Sequence, residues 1–351
     1  MTYLEGEHMA KNENIKNESR EDKIKKAHEV DLEVRVEEPE GLPIQGYDFN
    51  QEFDLDKFLQ SFSVTGMQAS NVGKAIEIIK KMRKDKAVIF LAYNSNMVSS
   101  GIRDVIRYLV QHKMVDVLIT TAGGVEEDIM KTKKPFLTGD FKAPGKELRS
   151  KGINRIGNVF VPNDRYVEFE KIMQPFLKKL LEEQRKTGHI ITASEFIHKL
   201  GLEIDDEKSI YYWASRHNIP VFCPALTDGS IGDMIFFFKE SDKTNSDFKV
   251  DITDDMCKLV NIALDAKKTG IIVLGGGFVK HHACNANLFR GGADYAVYVT
   301  TETEEGGSDS GANPDEAVSW GKIKGKENTV KVFCDATIAF PLIVAGAFRK
   351  E

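Results

Sequence analysis

Residues 271–277 read Ile-Ile-Val-Leu-Gly-Gly-Gly. The first four are apolar, three of them β-branched, and the run stops on glycine. A short continuous apolar run predicts a strand buried on both faces, because a half-buried strand would alternate. The same kind of run recurs at Ala87–Ala92, Val115–Thr120, Val159–Val161, Val221–Pro224, Ala296–Thr300 and Val330–Cys334. Helical periodicities such as Gly101–Gln111, Asp164–Gln184 and Ser209–His217 separate most of them. Buried strands alternating with helices predict an α/β fold, a Rossmann-like parallel sheet with helices on both faces. No linker rich in Pro, Gly or Ser cuts residues 46–351, so one large domain is expected there, preceded by a charged leader over 1–45.

The strand exits point to function. The runs end in Tyr93-Asn94-Ser95-Asn96, Thr121-Ala122-Gly123-Gly124, Leu226-Thr227-Asp228-Gly229-Ser230, Gly275-Gly276-Gly277, Thr301-Glu302 and Asp335-Ala336-Thr337. These are small, polar or glycine-rich, and open parallel sheets bind ligands beyond the carboxyl ends of their strands. Small residues there let backbone N–H groups approach a phosphate. Six such exits predict a ligand of dinucleotide size. No G-x-G-x-x-G is present, and Lys280 lacks the Ser or Thr that would succeed it in a P-loop, so the binding mode is a non-standard one.

Composition removes several classes. The chain has 351 residues and a formal net charge of -6, and residues 1–40 alone hold 12 acidic against 7 basic side chains. The remainder is nearly neutral, which argues against binding nucleic acid through a basic face. No apolar run approaches the roughly 20 residues of a spanning helix. No signal layout or lipidation motif is evident, so a cytoplasmic protein without membrane attachment is expected. Cys223, Cys257, Cys284 and Cys334 form no C-x-x-C pair, so neither zinc nor redox chemistry is signalled. The charged, aromatic-poor leader reads as a solvated tail or, where Ser19 and Asp22 form a capping box, as a short docking helix with Ile24, Ala27 and His28 on one face.

The chemistry-bearing residues concentrate between Gly275 and Lys322. Lys280-His281-His282 comes directly after the glycine run. Adjacent histidines on a helix diverge, so no shared metal is expected and a single acid/base is the better reading. An acidic, glycine-rich stretch, Glu302–Gly311, succeeds the strand Ala296–Thr300; it is a solvated loop or, by that position, a candidate pocket for a polycation. Pro314-Asp315-Glu316 suits a helix start and Gly321 its end. Lys322 then stands beside Trp320. By its position alone it is a surface lysine at a helix C-terminus, or a nucleophile toward an imine or carbonyl once it loses its proton.

Longer runs resemble the deoxyhypusine synthase family. They are Leu274–Gly277 with Lys280-His281-His282, Asn285-x-Asn287-Leu288, Gly292–Tyr298, Gly307–Ala312 and Pro314–Ile323, preceded by Ser99–Arg103, Thr120–Asp128, Gly145–Arg149, Gly152–Gly157 and Pro224–Phe237. The resemblance extends from about Gly46 to Phe348. It implies an enzyme using NAD, spermidine and a lysine of the translation initiation factor 5A precursor. Lys322 would carry the aminobutyl group as an imine, and His281 would move the proton. Glu126, Glu127, Asp233, Asp309 and Glu316 would hold amines. Trp320 would line a methylene channel, and Asn285, Leu288, Gly307 and Ser308 match other substrate positions. The NAD positions would be Ser95, Asn96, Met97, Val98, Ser99, Thr121, Ala122, Gly123, Glu127, Asp228, Gly276, Thr301, Glu302, Asp335 and Ala336. The family also implies a homotetramer with active sites at subunit interfaces, where an N-terminal helix can cover a neighbour's entrance. Two other readings stay open: a homospermidine synthase, which uses putrescine as acceptor, and an inactive regulatory paralogue.

Overall fold

The computed structural model describes residues 19–32 and 38–349. The chain separates into two units, residues 1–43 and 44–351. In the first unit Arg20–Leu32 is a helix. Its start is reciprocal: the Asp22 N–H donates to Ser19 Oγ (3.1 Å), and the Ser19 N–H donates to the Asp22 carboxylate (3.2 Å). Residues 19–30 are exposed throughout. The expectations for residues 1–18 and 33–37 of the leader lie outside the described residues.

The second unit contains strands β1 (Val88–Tyr93), β2 (Val117–Thr120), β3 (Leu137–Thr138), β4 (Ile153–Ile156), β5 (Val159–Pro162), β6 (Val221–Phe222), β7 (Thr269–Leu274), β8 (Tyr295–Thr300) and β9 (Thr329–Phe333). Six of them form one sheet in the order β6-β2-β1-β7-β8-β9, with every neighbouring pair parallel. Ranked by chain position, this is the 3-2-1-4-5-6 arrangement, whose order reverses between β1 and β7. The fold is therefore the predicted α/β class, with helices on both faces of a parallel sheet.

The apolar runs are continuous because successive side chains enter two different cores. Ile89, Leu91 and Tyr93 of β1 and Ile272 and Leu274 of β7 face one core. Phe90 and Ala92 of β1 and Ile271 and Val273 of β7 face the other. Helices Met67–Lys84, Ile102–Gln111 and Ala336–Ala347 cover the first side; Thr253–Asp265 and Gly277–Leu288 cover the second. Full burial of one such aliphatic or aromatic side chain contributes about 1.5–3 kcal/mol.

One predicted strand belongs elsewhere. Val159–Val161 does not join the parallel sheet. It lies in β5, the middle strand of a separate antiparallel sheet ordered β3-β5-β4. The pairing of Ile156 with Val159 leaves only Gly157-Asn158 as the connection, a two-residue hairpin turn.

The helix Ala122–Lys133 is fixed by a buried charge. Asp128 is fully buried; its carboxylate accepts from Arg103 Nε (2.6 Å), the Ser209 hydroxyl and the Ile210 N–H (3.2 Å). It thereby joins three helices, Ile102–Gln111, Ala122–Lys133 and Ile210–Arg216. Asp128→Ala would leave the Arg103 guanidinium buried and unpaired. The expected loss is about 3–5 kcal/mol, read as a lower urea midpoint with the slope unchanged; an unshifted midpoint would show that this network contributes nothing to stability.

Candidate active site

The helix Gly277–Leu288 supplies one wall of a cleft of about 560 Å³. His281, Asn285 and Leu288 recur at i, i+4 and i+7 and share one face. The opposing wall is the turn Asp309–Gly311 and the helix Pro314–Ser319. His282 diverges from His281, as adjacent helical positions require, and its ring lies parallel to that of Phe278 at 6.3 Å.

Lys322 is delivered by a capped helix end. Pro314 opens the helix, with Asp315 and Glu316 in its first turn. At the far end Gly321 adopts φ +69°. Its N–H donates to Val318 O (2.9 Å) and the Lys322 N–H donates to Ala317 O (2.9 Å), the paired bonds of a Schellman motif. The Lys322 carbonyl accepts from the Ala293 N–H (2.9 Å), just before β8. The backbone is thus held on both sides. The Lys322 Nζ reaches 3.4 Å from His281 Nε2 and 5.4 Å from the centre of the Trp320 ring.

Asn285 sets the state of that histidine. Its amide nitrogen lies 2.9 Å from His281 Nδ1. An amide nitrogen donating there puts the ring proton on Nε2, whereas the flipped amide accepts from Nδ1–H and leaves the Nε2 lone pair facing Lys322. Only the second arrangement can take a proton from the ammonium.

The cleft floor is apolar and its rim is acidic. Cys284 Sγ and Tyr298 Oη lie 3.2 Å apart, and burial pushes both groups up, so both stay neutral. Glu316 and Asp309 stand at the rim with the exposed Trp320. Asp309 already has a cation: the buried Lys280 Nζ is 3.4 Å from its carboxylate and donates to its backbone carbonyl.

A second cleft, about 270 Å³, lies at the point where the strand order reverses. Its lining comes from the exits of β1 (Asn96, Met97), β7 (Gly275, Gly276), β8 (Thr301, Glu302) and β9 (Asp335, Ala336). Gly276 is required by close approach: a Cβ there would sit 2.6 Å from the Ser310 Cα. Ser310 faces this cleft and Asp309 faces the other, so the Asp309–Gly311 turn is the partition between them. A cleft at a switch point, lined by the exits of four strands, suits a dinucleotide.

The sheet edge continues past β1. The Ser95 N–H donates to Thr121 Oγ1 (3.1 Å), and the buried Ser99 hydroxyl donates to Glu127. Burial pushes Glu127 up to about 7, against the opposing effect of that hydroxyl. Glu126 is also raised by burial, and it accepts the Ile231 N–H (2.8 Å) in the first turn of Ser230–Ser241.

The sequence-predicted residues therefore fall into groups. His281, Asn285, Leu288, Asp309, Glu316, Trp320 and Lys322 meet in the first cleft. Asn96, Met97, Gly276, Thr301, Glu302, Asp335 and Ala336 meet in the second. Ser95, Val98, Ser99, Thr121, Ala122, Gly123 and Glu127 cluster at the β1 and β2 exits. Asp228 and Asp233 stand with Glu126 at the β6 exit, and none of these three lines the Lys322 cleft. Gly307 and Ser308 lie on an exposed loop outside it; Ser308 Oγ accepts the Ser310 N–H (3.3 Å) and so begins the partition turn. The sequence reading missed Cys284, Tyr298 and the pairing of Lys280 with Asp309. The i, i+4 spacing of Lys280 and Cys284, beside His281 and Asn285, was the available signal.

The family model for deoxyhypusine synthase matches residues 57–347. Deoxyhypusine synthase of Musa acuminata is 50% identical over 344 residues, covering 91% of this chain and 91% of that one. The Arabidopsis thaliana enzyme of the same name is 52% identical over 335 residues, covering 88% and 90%. A solved structure provisionally assigned as a deoxyhypusine synthase from Entamoeba histolytica superposes with a TM-score of 0.65 at 33% identity, over 87% of this chain and 96% of that one.

Gly321→Ala tests the delivery of Lys322. An added methyl would meet Leu288 at 3.6 Å, ordinary contact, so the cost is conformational. The expected loss is about 1 kcal/mol of stability, with kcat/KM lowered about tenfold as the amine leaves its position. Thermal unfolding and steady-state rates together check this; unchanged rates would mean that the cap does not set the position of Lys322.

Proposed function

The chain belongs to the deoxyhypusine synthase family, and we propose that it moves the aminobutyl group of spermidine onto one lysine of the translation initiation factor 5A precursor, forming deoxyhypusine. The observation that carries this reading is the 3.4 Å approach of Lys322 Nζ to His281 Nε2 in a cleft with an apolar floor and an acidic rim. Spermidine has the matching pattern: methylene segments between cationic amines. Glu316 and Asp309 attract the amines, and the Trp320 face accepts either cation or methylenes. The Lys280 ammonium offsets part of the Asp309 charge and so limits how tightly a substrate cation is held.

Ser95–Ser99, Thr121–Gly123, Glu127, Asp228, Gly276, Thr301-Glu302 and Asp335-Ala336 would hold NAD along the strand exits, and it would supply acceptance of a hydride from the carbon beside the secondary amine and its return at the end. With the Asn285 amide turned so that its oxygen accepts from Nδ1–H, His281 takes a proton from Lys322, freeing the lone pair for attack on the electron-poor carbon. A bond forms from Lys322 Nζ to that carbon, the original C–N bond breaks, and His281 passes the proton to the departing 1,3-diaminopropane. The four-carbon unit stays on Lys322 as an imine. The acceptor lysine repeats the exchange, Lys322 is freed, and reduction leaves a secondary amine.

The active site is composite, built from two subunits of a homotetramer. Support comes from the separation of Glu126 and Asp233 from the Lys322 cleft within one chain. A neighbouring subunit would bring its carboxylates to this cleft. Among the described residues no helix is long and apolar enough to cross a membrane. The acceptor is a translation factor, so the working compartment is the cytoplasm.

Two experiments test these readings. Lys322→Ala should abolish the aminobutyl adduct seen by mass spectrometry on the acceptor, and Lys322→Arg should do the same because a guanidinium stays protonated. Wild-type transfer by either variant would sink the covalent route, and transfer to putrescine alone would point to a homospermidine synthase. For the composite site, co-expressed Lys322→Ala and Asp233→Ala chains should recover about a quarter of wild-type activity, the share of intact sites in random pairs. No recovery would place both residues in one subunit's site.

A further inference from the structure

Lys131 has no part in the chemistry above, yet it is half-buried against the segment that leaves β1. It stands on the helix Ala122–Lys133, one turn beyond Glu127. Its Nζ donates to three successive carbonyls, Val98 O (2.6 Å), Ser99 O (2.7 Å) and Ser100 O (3.2 Å). An ammonium has three donors, and here all three go to one short stretch of backbone. That stretch is the end of the helix Asn96–Ser99, which has four residues. So short a helix cannot offset its own nucleation cost and needs outside support. Glu127 holds the same segment through the Ser99 hydroxyl. A cation at the carbonyl end and a carboxylate on a side chain, one turn apart on one helix, thus grip Ser95–Ser100 from two points.

We propose that Lys131 is a positioning residue for the cofactor: it touches no reacting atom, but it fixes the backbone of Ser95–Ser100 and through it the affinity for the dinucleotide. The inference rests on the reading that Ser95–Ser99 holds NAD. Lys131 also borders an open cleft of about 580 Å³ beside Ser99, Ser100 and Phe136, so solvent protons reach it. Burial, with the Arg103 guanidinium acting in the same direction, pulls the Lys131 amine down to about 8. The charged groups around it are Arg103 and Asp104 of the helix Ile102–Gln111, Glu127 and Asp128 of its own helix, and Lys133, Asp206 and Lys208 around the cleft. Loss of the proton removes one donor and the charge at the helix end, so cofactor affinity should fall as pH rises through about 8.

The test uses the full-length protein without spermidine, as wild type, Lys131→Met and Lys131→Arg. Hydrogen exchange of the amides at 97–100 is measured in the free protein. The Kd for NAD is measured by equilibrium dialysis from pH 7.5 to 9.5. Lys131→Met should speed exchange in that segment and weaken NAD about tenfold at the lower pH, the loss expected for charge-assisted hydrogen bonds. Wild-type affinity should decline across the range, while Lys131→Arg, which keeps its charge, should stay flat. Unmoved exchange and Kd in Lys131→Met, or an Arg variant that declines like wild type, would overturn the inference while leaving the cofactor reading intact. If Lys131→Met does not fold, the Arg comparison decides alone. Wild-type protein that binds no NAD at all would overturn the cofactor reading, and the inference with it.

Discussion

A single carboxylate without solvent, Asp128, ties the helix after β2 to two others, and the geometry at the β1 and β2 exits depends on it. Its oxygens are shared among a guanidinium, a hydroxyl and the backbone amide of Ile210. Tyr211 adds a second tie, donating from its hydroxyl to Gly124 O (2.7 Å) while lying 3.0 Å from the Tyr93 hydroxyl. With the helix Ala122–Lys133 so fixed, Glu126, Glu127 and Lys131 each have one direction open to them. One meets the helix Ser230–Ser241, and two meet Ser95–Ser100. A buried charge is costly unless fully satisfied, and satisfaction of this one specifies where three helices must lie.

The two clefts arise from the sheet in a similar way. A parallel sheet sends all its carboxyl ends to one edge, so residues from β1, β7, β8 and β9 that are distant in the chain converge there. The helix leaving β7 starts at that convergence and runs on into the Lys322 cleft. Gly276 lets the Asp309–Gly311 turn press against the start of this helix, and that thin turn alone separates Ser310 on one side from Asp309 on the other. The two clefts thus lie side by side at one sheet edge, each with its own lining.

Much of this was legible in the residues. Continuous apolar runs marked buried parallel strands, because both faces of β1 and β7 enter cores. Pro314 and Gly321 marked the ends of the helix that delivers Lys322. Val159–Val161 misled because a three-residue apolar run looks the same in either kind of sheet; the distinguishing signal was Gly157-Asn158, a hairpin turn. Long-range pairings were not legible at all. Nothing local says that Lys280 neutralises Asp309 across 29 positions, or that Glu126 is occupied by the Ile231 amide across 105. Position alone does not decide between a surface lysine and a nucleophile at Lys322; its meeting with His281, across 41 positions, is a product of the fold.

The Schellman cap gives Lys322 an uneven freedom. Its amide and carbonyl are both bound, to Ala317 and Ala293, while its side chain crosses open cleft to its tip. The entropy of placing the residue is met by the backbone during folding, and the four methylenes keep theirs. A group attached to such a tip pivots about a fixed base, in the way a crane turns on its mast. Donor and acceptor could then be served in succession from one anchor, with the acceptor reaching only as far as the tip can swing.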